Sequence, residues 1–370
     1  MTLLAYENSH TLEVFLIIRC LIMNPFYERT KIEVFMKDKT VRLPRSLLSL
    51  GGNITDEKMP IWIQETIKAI MLPIAGLLLF LLIWGTGAQN INTSLGKFPG
   101  PTQALEQFNS LMSEHNNERI KEEAFYQRQD DRNSERLALD PNYQIKVRRY
   151  TGKPTFIDQT FTSLITVLTG FILASVIAIP FGIMIGLNKN IYAAANPIIQ
   201  LFKPVSPLAW LPLVTMVVSA VYTSDDPLFA KSFVTSVITV LVCSIWPTVI
   251  NTAVGTAAVS QDLLNVSKVL RLKPMTHVFK VVIPSAIPMV FTGLRLSLGI
   301  AWMVLIAAEM LAQNPGLGKF VWDEFQNGSS NSLGRIMVAV LVIGFIGFLL
   351  DRVMLMLQRM FSWDKQAILR

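Results

Sequence analysis

The chain has 370 residues, of which 51% are hydrophobic and 16% charged, and its formal net charge is +7. A soluble domain usually carries about a quarter charged residues, so this composition argues against an ordinary soluble protein. A basic chain can bind nucleic acid, but here the basic residues alternate with apolar runs, which is typical of membrane topology. Cys20 and Cys243 lie far apart and the three histidines are scattered, so neither a disulfide framework nor a metal site is indicated.

Residues 1–64 open the chain with a mixed composition. Their most apolar stretch, LEVFLIIRCLIM, is too short to span a bilayer and contains Arg19. The segment has no small-residue cleavage site, so it does not resemble a secretory signal peptide. We expect a cytoplasmic N-terminal extension that is either interfacial or disordered.

Six apolar runs follow, and they predict six transmembrane helices, because about 20 helical residues cross a bilayer. The first is expected at residues 65–88, and residues 161–361 hold the other five. These five runs are Ser163–Leu187, Ser206–Tyr222 (preceded by the apolar Ile191–Phe202), Ser232–Ile250, Ile283–Met310 and Ile336–Leu350. Buried helices of a large soluble protein would not account for so many runs. The predicted fold class is therefore an all-α integral membrane protein.

The charges in the short loops predict the orientation of the chain. Lys189 and Lys203 lie between the second and third runs without an acid, and four basic residues lie between the fourth and fifth runs against Asp262. The intervening loops carry the acids Asp225, Asp226, Asp323 and Glu324 against Lys231 and Lys319. Because short basic loops stay in the cytoplasm, both termini, including the tail 362–370, are expected there.

Residues 89–160 then lie on the outer side. Their middle part, around residues 110–150, contains SEHNNERIKEEAFYQRQDDRNSERLALD, which is charged and nearly balanced. Such a composition predicts a surface helix or a mobile loop. Its charge is either simply solvated or forms a docking surface for an extracytoplasmic partner.

The cytoplasmic loop at residues 260–284 is a basic, amphipathic interruption between two spans. Ser260 is suited to cap a helix that has Asp262 in its first turn, and Pro274 is suited to begin a second short helix. The first helix has an apolar face of Leu263, Val266, Val269 and Leu270 and a polar face of Asn265, Lys268 and Arg271. It either lies on anionic headgroups or docks into a cytoplasmic protein.

The spacing within this loop resembles that of the permease subunits of ABC importers. Their loop reads Glu-Ala-Ala, three residues, Gly, nine residues, Ile-x-Leu-Pro. Here Asn265-Val266-Ser267, Arg271 and Val281-Val282-Ile283-Pro284 occupy the same spacing. Asn replaces the usual Glu and Arg271 the usual Gly, so the turn between the helices must form without glycine.

Longer motifs extend the resemblance across residues 99–101 and 160–361. They are similar to the nitrate, sulfonate, taurine and bicarbonate group of these permeases, and most similar to the nitrate/bicarbonate/cyanate branch. The motifs are KPVSPLAWLPL at 203–213, SIWPTVINTAVG at 244–255, FTGLRLSLGIAWMVLIAAEML at 291–311 and GLGKFVWDEF at 316–325.

The resemblance implies a type I ABC importer in the bacterial inner membrane. A homodimer of permeases would pair with two cytoplasmic ATPase subunits and an extracytoplasmic solute-binding protein, and would carry a nitrate-like anion: nitrate, bicarbonate or cyanate. A sulfonate or taurine permease is the alternative, and a secondary transporter or channel a more distant one. The loop would couple to the ATPase through apolar anchors and polar neighbours. The resemblance assigns this coupling role to Leu263, Asn265, Val266, Ser267, Lys268, Leu270, Arg271 and Pro284.

The chain is not expected to be an enzyme or to bind a cofactor itself. A phosphate-binding loop needs the pattern G-x-x-x-x-G-K-[ST]. The nearest approach is Gly318-Lys319, where Gln313 takes the first glycine position and Phe320 follows the lysine. ATP is therefore expected on a separate subunit.

Three residues inside the fifth run are candidates for the substrate pathway: Arg295, Trp302 and Glu309. Arg295 either attracts an anion or is neutralised by snorkelling or a local pair, and Glu309 is expected to act as a gate or in a structural pairing. Trp302, like Trp210 and Trp246, is interpreted as a belt or packing residue. The nearby prolines, Pro204, Pro207, Pro212 and Pro247, indicate kinked or broken helices, which often border a transport pathway.

Overall fold

The computed structural model describes residues 61–93, 96–223 and 228–361, with backbone alone for 61–69. The predictions for residues 1–60, for Asp225 and Asp226 and for the tail 362–370 lie outside the described residues. Between these limits the chain is almost entirely helical.

The first helix, α1 (Ile61–Asn90), is a candidate span over its last 21 residues, Ile70–Asn90, with a mean hydropathy of 2.1. Its apolar side chains, such as Leu77, stay exposed. In a bilayer such a surface faces lipid, which is as apolar as the side chains. Two short antiparallel strands follow, β1 (Asn92–Thr93) and β2 (Gly96–Lys97).

The charged insert forms α2 (Pro101–Leu139), a 39-residue helix about 58 Å long at 1.5 Å per residue. The composition predicted either a surface helix or a mobile loop, and the structure shows a helix. An extended segment returns along it, held where the Arg148 amide donates to Gln129 (2.7 Å) and the Tyr150 hydroxyl donates to Glu118 (2.7 Å). The Tyr150 bond, with Lys121 nearby, lowers the pKa of the Glu118 carboxyl.

Four long helices form the core: α3 (Phe156–Leu187), α6 (Lys231–Ala257), α9 (Ile283–Ala312) and α11 (Ser332–Phe361). Helix α6 lies in the centre and packs against α3 and α9. Small residues allow these close crossings, since a Cβ at Gly182 would lie 2.6 Å from Thr252 and one at Gly293 2.9 Å from Asn251. Small residues at the contacts are typical of helices packed within a membrane.

Two shorter helices, α4 (Lys189–Phe202) and α5 (Pro207–Val221), meet at an angle of 100°. The break is encoded locally, because Pro204 and Pro207 cannot continue a helix and the Ser206 side chain caps α5 by accepting from the Leu208 amide. The described residues thus contain five single-helix spans, or six when this pair counts as one. The predicted all-α membrane fold is confirmed, with its third span broken rather than continuous.

Four small elements complete the described fold. Helices α7 (Gln261–Val269) and α8 (Pro274–His277) lie between α6 and α9, and a π-helical turn at Val278–Val282 joins α8 to α9. Helix α10 (Leu317–Asn327) lies between α9 and α11 at the opposite end.

Candidate functional site

Helix α7 presents the apolar face that the sequence predicted. The proposed anchors Leu263, Val266 and Leu270 are 44, 53 and 63% exposed. Ser267 points the other way and is 5% exposed. The remaining predicted loop residues, Asn265, Lys268, Arg271 and Pro284, are also exposed. An apolar ridge with a polar border is the surface that a groove on another protein can receive.

Arg271 itself makes the turn after α7, where glycine is usual in the related loops. Its φ is +47°, in the left-handed region. The Leu272 amide donates to the Ser267 carbonyl (3.2 Å), and the Arg271 amide donates to the Lys268 carbonyl (3.0 Å). These two bonds are those of a Schellman motif, which ends a helix with one left-handed residue. The loop geometry therefore survives the loss of glycine, at the cost of a strained arginine backbone.

A side-chain hydrogen bond ties the two short helices together. The Ser267 hydroxyl and His277 Nδ1 lie 2.7 Å apart. Since α8 continues through the π turn into α9, this bond links α7 to the fifth span. The sequence predicted Ser267 for its position in the loop motif but gave no partner for it, because His277 is ten residues away and on another helix.

Glu309 lies fully buried near the end of α9, where it joins three helices. It accepts from the Ser163 hydroxyl of α3 (2.7 Å) and from the Gly318 amide of α10 (3.0 Å). Ser163 in turn accepts from the Leu317 amide (2.8 Å). A Cβ at Gly316 would lie within 2.1 Å of the Glu309 carboxylate, so the chain needs glycine there. These contacts form a latch that holds the start of α10 against the core.

The other two pathway candidates make pairings of their own. Arg295 forms two bonds with Asp351 of α11, at 2.5 and 2.9 Å. Trp302 is 6% exposed and donates its indole N–H to the Ile343 carbonyl (3.0 Å). Arg295 and Glu309 are 14 residues apart on one helix, about 21 Å, so the three candidates do not converge on one site. The sequence missed their partners because these lie on distant helices.

A polar network fastens α2 to the same end of the core as the Glu309 latch. Arg335, near the start of α11, pairs with Glu324 of α10 at 2.9 Å and also with Glu114 of α2. The Ser332 hydroxyl donates to Glu324 (3.0 Å). The charged insert is therefore anchored to the end of the bundle opposite α7.

The fold defines a class of protein: a multi-span integral membrane protein with a broken span and an exposed amphipathic loop helix. Comparison with known proteins then places it. Residues 178–362 match the family described as "Binding-protein-dependent transport system inner membrane component". The chain belongs to this family, the permease subunits of ABC importers, and it is a transport subunit of the inner membrane.

Named relatives narrow the placement to one branch. The chain is 34% identical over 297 residues to the bicarbonate transport system permease protein CmpB of Synechococcus elongatus, covering 80% of this chain and 91% of that protein. It is 39% identical over 194 residues to the nitrate import permease protein NrtB of a Synechocystis species, covering 52% and 66%. The MetNI methionine ABC transporter, in an inward-facing structure, aligns with a TM-score of 0.48 at 14% identity, over 56% of this chain and 96% of that one. The predicted placement in the nitrate/bicarbonate branch is confirmed by the sequence relatives.

Proposed function

We propose that the chain is the membrane pathway of an ATP-driven importer for a small inorganic anion of the nitrate and bicarbonate type. The observation that carries this proposal is the 34% identity with a bicarbonate permease across 91% of its length. For similarity of that extent, a shared mechanism is the simplest account. Cyanate belongs to the same chemical class.

The energy comes from two ATPase subunits that dock on α7, and ATP is bound there and not on this chain. The support is the exposed face of Leu263, Val266 and Leu270, for which no described residue provides a cover. ATP-driven closure of the ATPases moves α7, and the Ser267–His277 bond and the π turn pass that movement to α9. Rigid elements rocking against each other would alternate access to the two sides.

The orientation follows from the same docking. The loop with α7 faces the cytoplasm, as do both termini, residues 1–64 and the tail 362–370. The basic residues around α7, Lys268, Arg271, Lys273 and Lys280, support this side because short basic loops remain cytoplasmic. The opposite end, with α2 and α10, then receives the solute-binding protein.

A second copy of the permease completes the pathway as a homodimer. Large apolar side chains of α3 and α9 remain exposed in the single chain, among them Ile165, Val176, Leu296 and Met303. Lipid covers part of this surface, and the second copy covers the rest.

The test is uptake by the complete transporter. The permease, its ATPase and its binding protein are reconstituted in liposomes, and labelled nitrate, bicarbonate and taurine are offered with and without ATP. We expect ATP-dependent uptake of an inorganic anion and none of taurine. Taurine uptake alone would assign the chain to sulfonate transport, and uptake without ATP would identify a secondary transporter.

A further inference from the structure

The break between α4 and α5 lies at the middle depth of the bundle. The Phe202 ring, at the end of α4, stacks on Trp246 of α6, with centroids 6.4 Å apart and planes at 7°. Trp246 stands 11 residues before Ala257 and 15 after Lys231 in α6. At 1.5 Å per residue it is about 16 Å from one end of the helix and about 22 Å from the other.

Packing along α4 agrees with this depth. Ala195 and Ile199 of α4 are buried in one cluster with Ala178 of α3 and with Val249 and Ala253 of α6. Helix α4 therefore turns back from the end of α3 and enters the bundle. It does not run along the surface, and its last residue reaches mid-depth.

Lys203 follows Phe202 directly, so the structure corrects its expected place in a cytoplasmic loop. The residue is exposed, and no carboxylate of the described residues forms an ion pair with it. A lysine at this depth is costly in lipid, and ionisable residues within spans almost always face the bundle interior or a water-filled cavity. The ammonium group is thus available to a ligand inside the membrane.

Two further hydrogen-bond donors beside the break find no acceptor among the described residues. Trp210 and Trp246 flank the Phe202 ring, at centroid distances of 5.7 and 6.4 Å. The Nε1 atoms of both indoles are buried and lack a hydrogen-bond partner within the described residues. Buried donors are nearly always satisfied, so a pair without acceptors at one place calls for an explanation.

We propose that Lys203, Trp210 and Trp246 form a binding site for a small oxyanion on the transport path. This inference rests on the proposed function and names the place where the anion crosses the middle of the membrane. A planar oxyanion offers oxygen acceptors to the ammonium and indole groups and a flat face to the aromatic rings. Helix α5 begins at Pro207, so its positive dipole end lies at the same break, as in other transporters with discontinuous helices.

The other ionisable candidates fit this role less well. The Arg295 guanidinium is engaged by Asp351 through two bonds. Glu309 carries a carboxyl group and sits in the latch with Ser163 and Gly318. Of these three candidates, Lys203 is the cation that no acid of the described residues pairs with.

The first experiment compares uptake by reconstituted transporters that carry Lys203→Gln, Lys203→Arg or, as the matched control at the other end of α4, Lys189→Gln. We expect Lys203→Gln to lose at least tenfold in anion uptake, with the ATPase still bound. Lys203→Arg should retain most uptake, and Lys189→Gln should match the wild type. Uptake by Lys203→Gln within twofold of the wild type would overturn the site.

The second experiment measures access to the site without a transport assay. In a Cys20→Ser, Cys243→Ser background in nanodiscs, Lys203→Cys and the lipid-facing control Leu77→Cys are treated with the anionic thiol reagent 2-sulfonatoethyl methanethiosulfonate. We expect rapid labelling at position 203, slowed by nitrate or bicarbonate, and little at position 77. Labelling at 203 as slow as at 77 would refute the site. Failure of the proposed function would appear separately, as a wild-type transporter that imports neither anion.

Discussion

Arg295 of α9 and Asp351 of α11 form an ion pair with two parallel bonds, and each residue lies well inside its span. Arg295 is 12 residues from the start of α9, about 18 Å, so removing its partner would strand a charge deep in the membrane. A lone arginine at a span centre costs about 2.5–3.5 kcal/mol on insertion scales. The pair therefore serves to hold the fifth and sixth spans together.

We expect Asp351→Asn to lower the thermal stability of the purified permease and its yield in the membrane. The exchange Arg295→Asp with Asp351→Arg should recover most of both, because it restores the pair in reverse. Thermal unfolding followed by size-exclusion chromatography measures the effect. If Asp351→Asn were as stable as the wild type, the ion pair would contribute little to the stability of the permease.

The Glu309 latch predicts a local loosening at the opposite end. Glu309→Ala removes the acceptor of the Gly318 amide and of Ser163, and each buried group left unsatisfied costs about 1–3 kcal/mol. Hydrogen exchange at the start of α10 should accelerate by at least tenfold. The matched control is Asp323→Asn, which breaks only the surface pair with Lys319 and should change exchange little. Equal exchange in both variants would argue against the latch.

The apolar face of α7 predicts which substitutions uncouple the ATPase. Val266→Asp or Leu270→Asp places a charge on the docking ridge, which is exposed in the free chain, so the permease should still fold and insert. Co-purification of the ATPase should be lost. Val147→Asp, which changes an even more exposed valine on the segment after α2, is the control and should retain the ATPase. If the ATPase still co-purified with both the Val266→Asp and the Leu270→Asp variants, docking at this face would be contradicted.

The turn at Arg271 predicts a stabilising substitution. A non-glycine residue in the left-handed region costs about 1–2 kcal/mol, so Arg271→Gly should strengthen the Schellman bonds. Slower exchange of the Leu272 amide measures this, and Arg271→Val, with a branched side chain, should show faster exchange. If the Arg271 side chain also contacts the ATPase, Arg271→Gly would weaken co-purification while the turn itself becomes more stable.

The sequence predicts those parts of the molecule that depend on local patterns. Hydropathy finds the spans, and helical spacing finds the apolar face of α7 with Val266 and Leu270. Contacts between distant helices leave no such pattern, so Asp351 as the partner of Arg295 and Ser163 as the partner of Glu309 emerge only from packing. The position of Lys203 was predicted wrongly for a different reason. Counting the charges of the loops assumes that every break between apolar runs lies in water. The break at Lys203 instead folds back into the bundle, where Phe202 stacks on Trp246.

The two indoles beside Lys203 predict a graded loss of transport. Trp210→Phe and Trp246→Phe keep an aromatic ring against Phe202 and remove only the N–H donor. Each should reduce anion uptake by roughly five- to tenfold, as expected for the loss of one net hydrogen bond worth about 1–1.4 kcal/mol, and the double variant should lose more. Trp302→Phe is the control for general packing, because the Trp302 N–H already donates to the Ile343 carbonyl. Loss of this bond should lower the stability of the permease without a selective effect on anion uptake. Uptake is measured at saturating binding protein, with ATPase co-purification as the assembly check. Wild-type uptake by the Trp210→Phe, Trp246→Phe double variant would show that the indole donors do not meet the anion.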